Sequence, residues 1–217
     1  MPSPRLQTNR RSWPQARVTA RDWWHRVVPV FVLVALMWIS EAIDFILPIP
    51  LDWFGIQPRE VGHLFGIVLS PFLHLGFPHL IANTGALLVL GGLLALSTRH
   101  LWMVTIGVVL LGGLGVWLTG APGSVHIGAS GIVYGYAAFL AVYGFVARRL
   151  WPAVVGVLVI ATYGSMVWGV LPLQMGVSWQ AHLFGALAGA FLALRLGRQD
   201  RQGRQVRPVR PLPQIRR

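Results

Sequence analysis

Three short stretches carry side chains that could do covalent chemistry. Ser130 sits in Gly128-Ala129-Ser130-Gly131, His182 in Ala181-His182-Leu183-Phe184-Gly185, and His79 and Asn83 stand four residues apart in His79-Leu80-Ile81-Ala82-Asn83. A serine hydroxyl becomes a useful nucleophile when an imidazole takes its proton, so Ser130 and His182 read together as nucleophile and base. His79 and Asn83 share one helix face and could donate hydrogen bonds from it. Each stretch also has a plain reading: a polar interfacial cap for His79 and Asn83, helix-packing sequence for the serine between glycines, a structural hydrogen bond for His182. Competing chemistries fail on residues. There is no His-Glu-x-x-His for zinc, and no aspartate pair in an apolar run for an acid protease. An α/β-hydrolase elbow wants glycine two residues after the serine, where Ile132 stands. Zero cysteines remove thiolate catalysis and Cys-ligated metals. No metal or cofactor is implied.

The elements that must position these groups are membrane spans. Of the 217 residues 55% are hydrophobic and 11% charged, against about 25% charged in an ordinary globular domain. All 18 basic residues are Arg, and the net charge of +12 resides in two tails: residues 1–26 hold six Arg and one Asp, residues 195–217 eight Arg and one Asp. The stretch between them is neutral and apolar. That distribution excludes a nucleic-acid-binding domain, whose basic side chains spread over a folded surface. A helix needs about 20 apolar residues to cross the hydrocarbon core. Six such runs fall near 27–47, 79–97, 101–120, 129–148, 151–171 and 179–196. Six spans put both tails on one side, and 17 of the 18 Arg with them, Arg59 alone lying opposite. The positive-inside rule makes that side cytoplasmic. The expected organisation is a basic N-tail (1–26), a six-helix membrane domain (27–196) with an outer loop at 48–78, and an Arg/Pro-rich C-tail (197–217). Anionic lipid is the expected partner of the tails, at about 1 kcal/mol per Arg.

This topology alters the odds for the polar stretches. Spans 2, 4 and 6 all run from outside to inside, so His79, Asn83, Ser130 and His182 lie at similar depth near the outer face. Gly131 and Gly135 form one GxxxG step and Gly185 and Gly189 another. Small residues at that spacing let helices approach closely, and if these faces meet, Ser130 and His182 come within reach.

Taken together, His-x-x-x-Asn opening span 2, Gly-x-Ser-Gly opening span 4 and Ala-His-x-x-Gly opening span 6 resemble the rhomboid intramembrane serine proteases. The stretch from His74 to Asn83 is similar to that family's loop-to-span segment. The resemblance covers 27–196 and implies an all-α, polytopic six-helix bundle in a bacterial cytoplasmic membrane, cleaving transmembrane or juxtamembrane segments of other proteins. It implies a dyad of Ser130 as nucleophile and His182 as general base, with Tyr134 packed on the imidazole. His79, Asn83 and the Ser130 N–H would stabilise the oxyanion, and Gly128 and Gly131 would let the backbone turn to present that N–H. Two positions depart from the family pattern: Phe65-Gly66 where a Trp-Arg pair is frequent, and Ala95 where an acid is frequent. They bear on the fold of the outer loop, for which short interfacial helices are expected. Glu41 and Asp44 in span 1, Glu41 in its outer half, stay unassigned: a hydrogen-bonding role to that loop is the plain reading, and a part in substrate entry or in tuning His182 the other. A catalytically silent scaffold that binds membrane clients stays open beside the protease, as does a small transporter, although no inverted repeat is present.

Overall fold

The computed structural model describes residues 20–47, 49–174 and 176–205. The tail readings for 1–19 and 206–217 lie outside the described residues. Six long helices run through the rest: α1 (Ala20–Ile46), α2 (Phe77–Ser97), α3 (Leu101–Thr119), α4 (Ser130–Val146), α5 (Leu150–Tyr163, continued as a 3-10 segment over Gly164–Val170) and α6 (Trp179–Gln205). No strand is present among the described residues, only an isolated bridge between Ile56 and His126.

Four of these, Arg26–Ile46, Phe77–Ser97, Leu101–Thr119 and Leu150–Val170, are long and apolar enough to cross a membrane. The other two differ from the expected runs for physical reasons. Helix α4 has 17 residues because the backbone before Ser130 is committed to pairing with the loop between α1 and α2. Helix α6 carries Gln180 and His182 in its first turns, which lowers its hydropathy, and continues past the apolar run to Gln205. Helix α1 likewise begins at Ala20, inside what the charge pattern reads as tail. Helical hydrogen bonding continues into polar sequence at both places, past the ends of the apolar runs.

Helix α4 is the centre of the bundle and packs against α2, α3, α5 and α6. Its Tyr136, Phe139, Leu140 and Tyr143 are fully enclosed, whereas large apolar side chains on α1 and α5, such as Phe31, Trp38, Val157 and Ile160, face outward. A water-soluble bundle would carry polar side chains on those outward faces, whereas apolar ones suit helices that meet lipid. Tyr136 Oη and Thr105 Oγ1 hydrogen-bond at 2.6 Å between α4 and α3; such interhelical bonds contribute on average about 0.6 kcal/mol in lipid. The larger constraint is backbone proximity. A Cβ on Gly185 would stand 2.2 Å from the Gly131 carbonyl oxygen, and one on Gly189 2.0 Å from that of Gly135. The two GxxxG faces do meet.

Between α1 and α2 the chain forms short helices at Leu51–Phe54, Val61–His63, Gly66–Leu69 and Ser70–Phe72. This loop is pinned at several points. Asp44 Oδ1 accepts the Leu51 N–H at 2.9 Å, and Ser40 Oγ donates to the Phe72 carbonyl. Arg59, in the left-handed region at φ 64°, donates to the carbonyls of Leu118 at 3.1 Å and Gly120 at 2.9 Å. These are orphan acceptors at the C-terminus of α3, and a guanidinium is well placed there. Asp44 thus meets the loop as its position suggests. Glu41 is buried, with Oε2 unpartnered among the described residues.

Candidate active site

Ser130 is the first residue of α4, and the loop between α1 and α2 decides how the chain arrives there. Ile56 and His126 exchange backbone hydrogen bonds at 3.0 and 2.9 Å, and Gly128 N–H donates to the Ser70 carbonyl at 2.8 Å. Ala129 N–H donates to His74 Nε2 at 3.4 Å. Gly128 then turns with φ +106°, and a Cβ there would meet His79 Cε1 at 2.7 Å. Glycine is therefore needed twice over, for the backbone angle and for the imidazole lying against it. Ser130 N–H, at the start of a helix, finds no acceptor among the described residues. It is one of the orphan donors that the positive end of a helix offers to an anion.

His182 lies in the second turn of α6, on the face that meets α4. Its Nε2 is 2.9 Å from Ser130 Oγ and its Nδ1 is 2.8 Å from the Gly169 carbonyl oxygen. A carbonyl can only accept, so Nδ1 carries the proton of the neutral ring. Nε2 is then left with its lone pair toward the serine, which is the tautomer a general base requires. Tyr134, one turn after Ser130, lies flat on the imidazole, with ring centroids 4.0 Å apart and planes at 8°. The ring is thus held by one carbonyl and one aromatic face, without a carboxylate.

Asn83 is buried and its Nδ2 has no hydrogen-bond partner among the described residues. An amide donor left orphaned in an enclosed place costs about 1–3 kcal/mol, a cost that a transient acceptor would remove. The structure thus brings Ser130, His182 and Tyr134 into direct contact and lays His79 against Gly128. Gly131 serves the close approach of α6, its carbonyl oxygen facing Gly185 and a Cβ on it standing 3.3 Å from the Ala181 carbonyl oxygen.

Three participants were not visible in the sequence reading. Gly169 contributes a backbone oxygen, for which side-chain motifs give no signal. A Cβ on it would fall 1.9 Å from Tyr134 Oη and 3.2 Å from His182 Nδ1. His126 and Ser178 form a bridge from the loop before Ser130 to the start of α6. His126 Nδ1 pairs with Ser178 Oγ at 2.6 Å and Nε2 with Ser124 Oγ at 2.9 Å. Ser178 Oγ in turn accepts the Ala181 N–H at 3.3 Å, capping α6. A histidine four residues before the serine and a serine four before the histidine could have been noticed. Burial pushes the His126 imidazole below its ordinary pKa, so this bridge is neutral near pH 7. His74 is pushed down to about 4, by burial first and by the neighbouring His79 second, which keeps Nε2 available as an acceptor for Ala129.

Comparison with known proteins gives the family. The Rhomboid domain family matches residues 61–199. The chain belongs to the rhomboid family. An uncharacterized protein of Mycobacterium tuberculosis is 40% identical to it over 206 residues, covering 89% of this chain and 85% of the relative. An uncharacterized protein of Mycobacterium leprae is 39% identical over 207 residues, covering 91% of this chain and 78% of its own. The family resemblance drawn from the three polar motifs is thus borne out, and the rhomboid domain with its apolar helices makes this an integral membrane protein. This rhomboid lacks the Trp-Arg pair at Phe65-Gly66, and there its loop is held by close backbone packing: a Cβ on Gly66 would meet the Gly55 carbonyl oxygen at 2.2 Å.

Proposed function

We propose that this rhomboid is an intramembrane serine endopeptidase with a Ser130–His182 dyad. The observation that carries the reading is the pair of bonds on one imidazole: Nδ1 held by the Gly169 carbonyl and Nε2 facing Ser130 Oγ at 2.9 Å. As Oγ attacks a peptide carbonyl, its proton passes to His182 Nε2, and the resulting imidazolium gives that proton to the leaving amine. The tetrahedral oxyanion would be met by the Ser130 N–H, the Asn83 amide and His79. Water would then attack the acyl-serine with His182 again as base, releasing the new carboxylate and restoring the hydroxyl.

The substrate in this reading is a transmembrane or juxtamembrane segment of another membrane protein. Such a segment must leave its helix locally before a carbonyl is exposed, so helix-weakening Gly or Pro near a small residue favours cleavage. All six helices span, both termini are cytoplasmic and the site opens to the outer face of a bacterial plasma membrane. The Arg asymmetry of the sequence supports that orientation, and the mycobacterial relatives support a bacterial setting.

The test is cleavage of a model transmembrane substrate in liposomes by wild type, Ser130→Ala and His182→Ala. Cleavage by wild type that disappears in both variants is expected. Cleavage that survives Ser130→Ala would remove the assigned nucleophile. A folded wild type that neither cuts a panel of substrates nor reacts with a fluorophosphonate would favour a silent scaffold.

A further inference from the structure

At the end of the bundle opposite Ser130 lies a cavity of about 560 Å³, within the range of about 300–1,000 Å³ typical of small-ligand sites. Four helix ends and turns deliver arginines to it: Arg26 from the start of α1, Arg99 from the α2–α3 turn, Arg149 from the α4–α5 turn and Arg204 from the end of α6. Asp200 also lines it, but that carboxylate already accepts from Tyr143 Oη at 2.5 Å and faces His100 Nε2 at 3.2 Å. The His100–Asp200 contact is the one pairing of a basic with an acidic side chain within 4 Å among the described residues. Four guanidinium groups therefore border a space holding one carboxylate that is already engaged.

Helix capping accounts for part of this. Arg149 donates to the Ser97 carbonyl at 3.4 Å and Arg204 to that of Ala147, and cations at helix C-termini are favourable. Each such bond uses one of five N–H donors on the guanidinium fork. Arg26 and Arg99 make no capping bond among the described residues. A second observation points to a ligand. Ser97 lines the same cavity, and its buried Oγ has no hydrogen-bond partner among the described residues.

We propose that this cavity binds a phosphate-bearing anion, with Arg26, Arg99, Arg149 and Arg204 paired to its phosphoryl oxygens and Ser97 Oγ donating to one of them. Guanidinium forks match phosphate oxygens two at a time. Residues 1–19 and 206–217 each carry four Arg and no acidic side chain, so their side chains offer no anion to this cavity. Two sources share the chemistry: the headgroup of an anionic phospholipid in the leaflet at this end, or a soluble polyphosphate. Basic pockets between membrane helices on the cytoplasmic side suit such headgroups. The chemistry is independent of the protease reading; only the name of the leaflet rests on the proposed orientation.

The test uses the full chain purified in neutral detergent, with affinity read by native mass spectrometry and by the thermal midpoint. One arm adds phosphatidylglycerol or cardiolipin against phosphatidylcholine, and the other adds pyrophosphate. Saturable binding in the first arm identifies a lipid headgroup, and in the second a soluble phosphate. In either case Arg26→Gln and Arg99→Gln should each weaken binding about fivefold, and together about thirtyfold. Arg198→Gln, which removes the same charge from the same end of α6 outside the cavity, should stay within about twofold. Ser97→Ala should weaken the ligand yet raise the midpoint of the ligand-free protein, since it removes an unpaired hydroxyl. The proposal is overturned if neither anion binds better than phosphatidylcholine, or if Arg198→Gln costs as much as Arg99→Gln.

Discussion

The contact between α4 and α6 makes Gly185→Ala a demanding test, because the residue lies 3 positions after His182 and touches the backbone next to Ser130. The added Cβ would stand 2.2 Å from the Gly131 carbonyl oxygen, whereas ordinary contact begins near 3.4 Å. Neither partner can rotate away, since one is a helix carbonyl and the other a Cβ. The helices must therefore open by about 1.2 Å at this level. Carried to the dyad, that opening turns a 2.9 Å hydrogen bond into a separation of about 4 Å, beyond the reach of a catalytic proton transfer. A misplacement of about 1 Å costs on the order of 100-fold in rate. The assay is cleavage of a transmembrane substrate in liposomes, alongside the rate of fluorophosphonate labelling at Ser130, with helicity and a monodisperse elution profile as controls for folding. Both rates should fall about 100-fold together. A folded Gly185→Ala protein that retains activity within about threefold of wild type would refute the claim that this glycine contact sets the dyad distance.

Further outcomes follow from other contacts. Asn83→Ala should lower the cleavage rate by about 100- to 1,000-fold, the loss seen when one oxyanion donor is removed, while thermal stability holds or rises because a buried orphan donor is gone; an unchanged rate would take Asn83 out of the mechanism. Gly169→Ala should displace Tyr134 from the imidazole, given the 1.9 Å approach to its Oη, and abolish labelling of Ser130. Tyr134→Phe keeps the flat stack and should stay within a few-fold of wild type, and equal losses in the two variants would contradict the stacking role. Acidification should destabilise the protein through His74. Its folded pKa of about 4 lies below the unfolded value near 6.5, so the unfolded chain binds the extra proton between those pH values. Stability at neutral pH should therefore fall by about 3 kcal/mol as pH drops through that window. The thermal midpoint of His74→Asn should show a shallower pH dependence, and an identical slope would exclude His74 as a source.

The candidate site was more legible in the sequence than the helix ends were. Ser130, His182, His79 and Asn83 were legible because ionisable and polar groups are rare and costly in apolar runs, and the glycines at 131, 135, 185 and 189 because close helix packing has a four-residue period. The loop at 48–78 was legible as a loop with short helices, but its pairing with the segment before Ser130 was not. Ile56 meets His126 through backbone atoms, and backbone partners leave no residue-type signal. The same holds for the Gly169 carbonyl that orients His182. The extension of α1 and α6 past their apolar runs escaped a hydropathy reading because that reading finds the hydrocarbon core and not the end of the helix. The arginine-lined cavity needed the structure as well, since Arg26, Arg99, Arg149 and Arg204 are far apart in the chain and converge only when four helix ends do.

The most direct measurement is to treat the purified protein with a fluorophosphonate and locate the adduct by peptide mass spectrometry, in wild type and in His182→Ala. The geometry predicts a single adduct on Ser130 of the wild type and a labelling rate lower by several orders of magnitude without the imidazole. An adduct on another serine, or labelling of Ser130 that proceeds equally well in His182→Ala, would contradict the dyad.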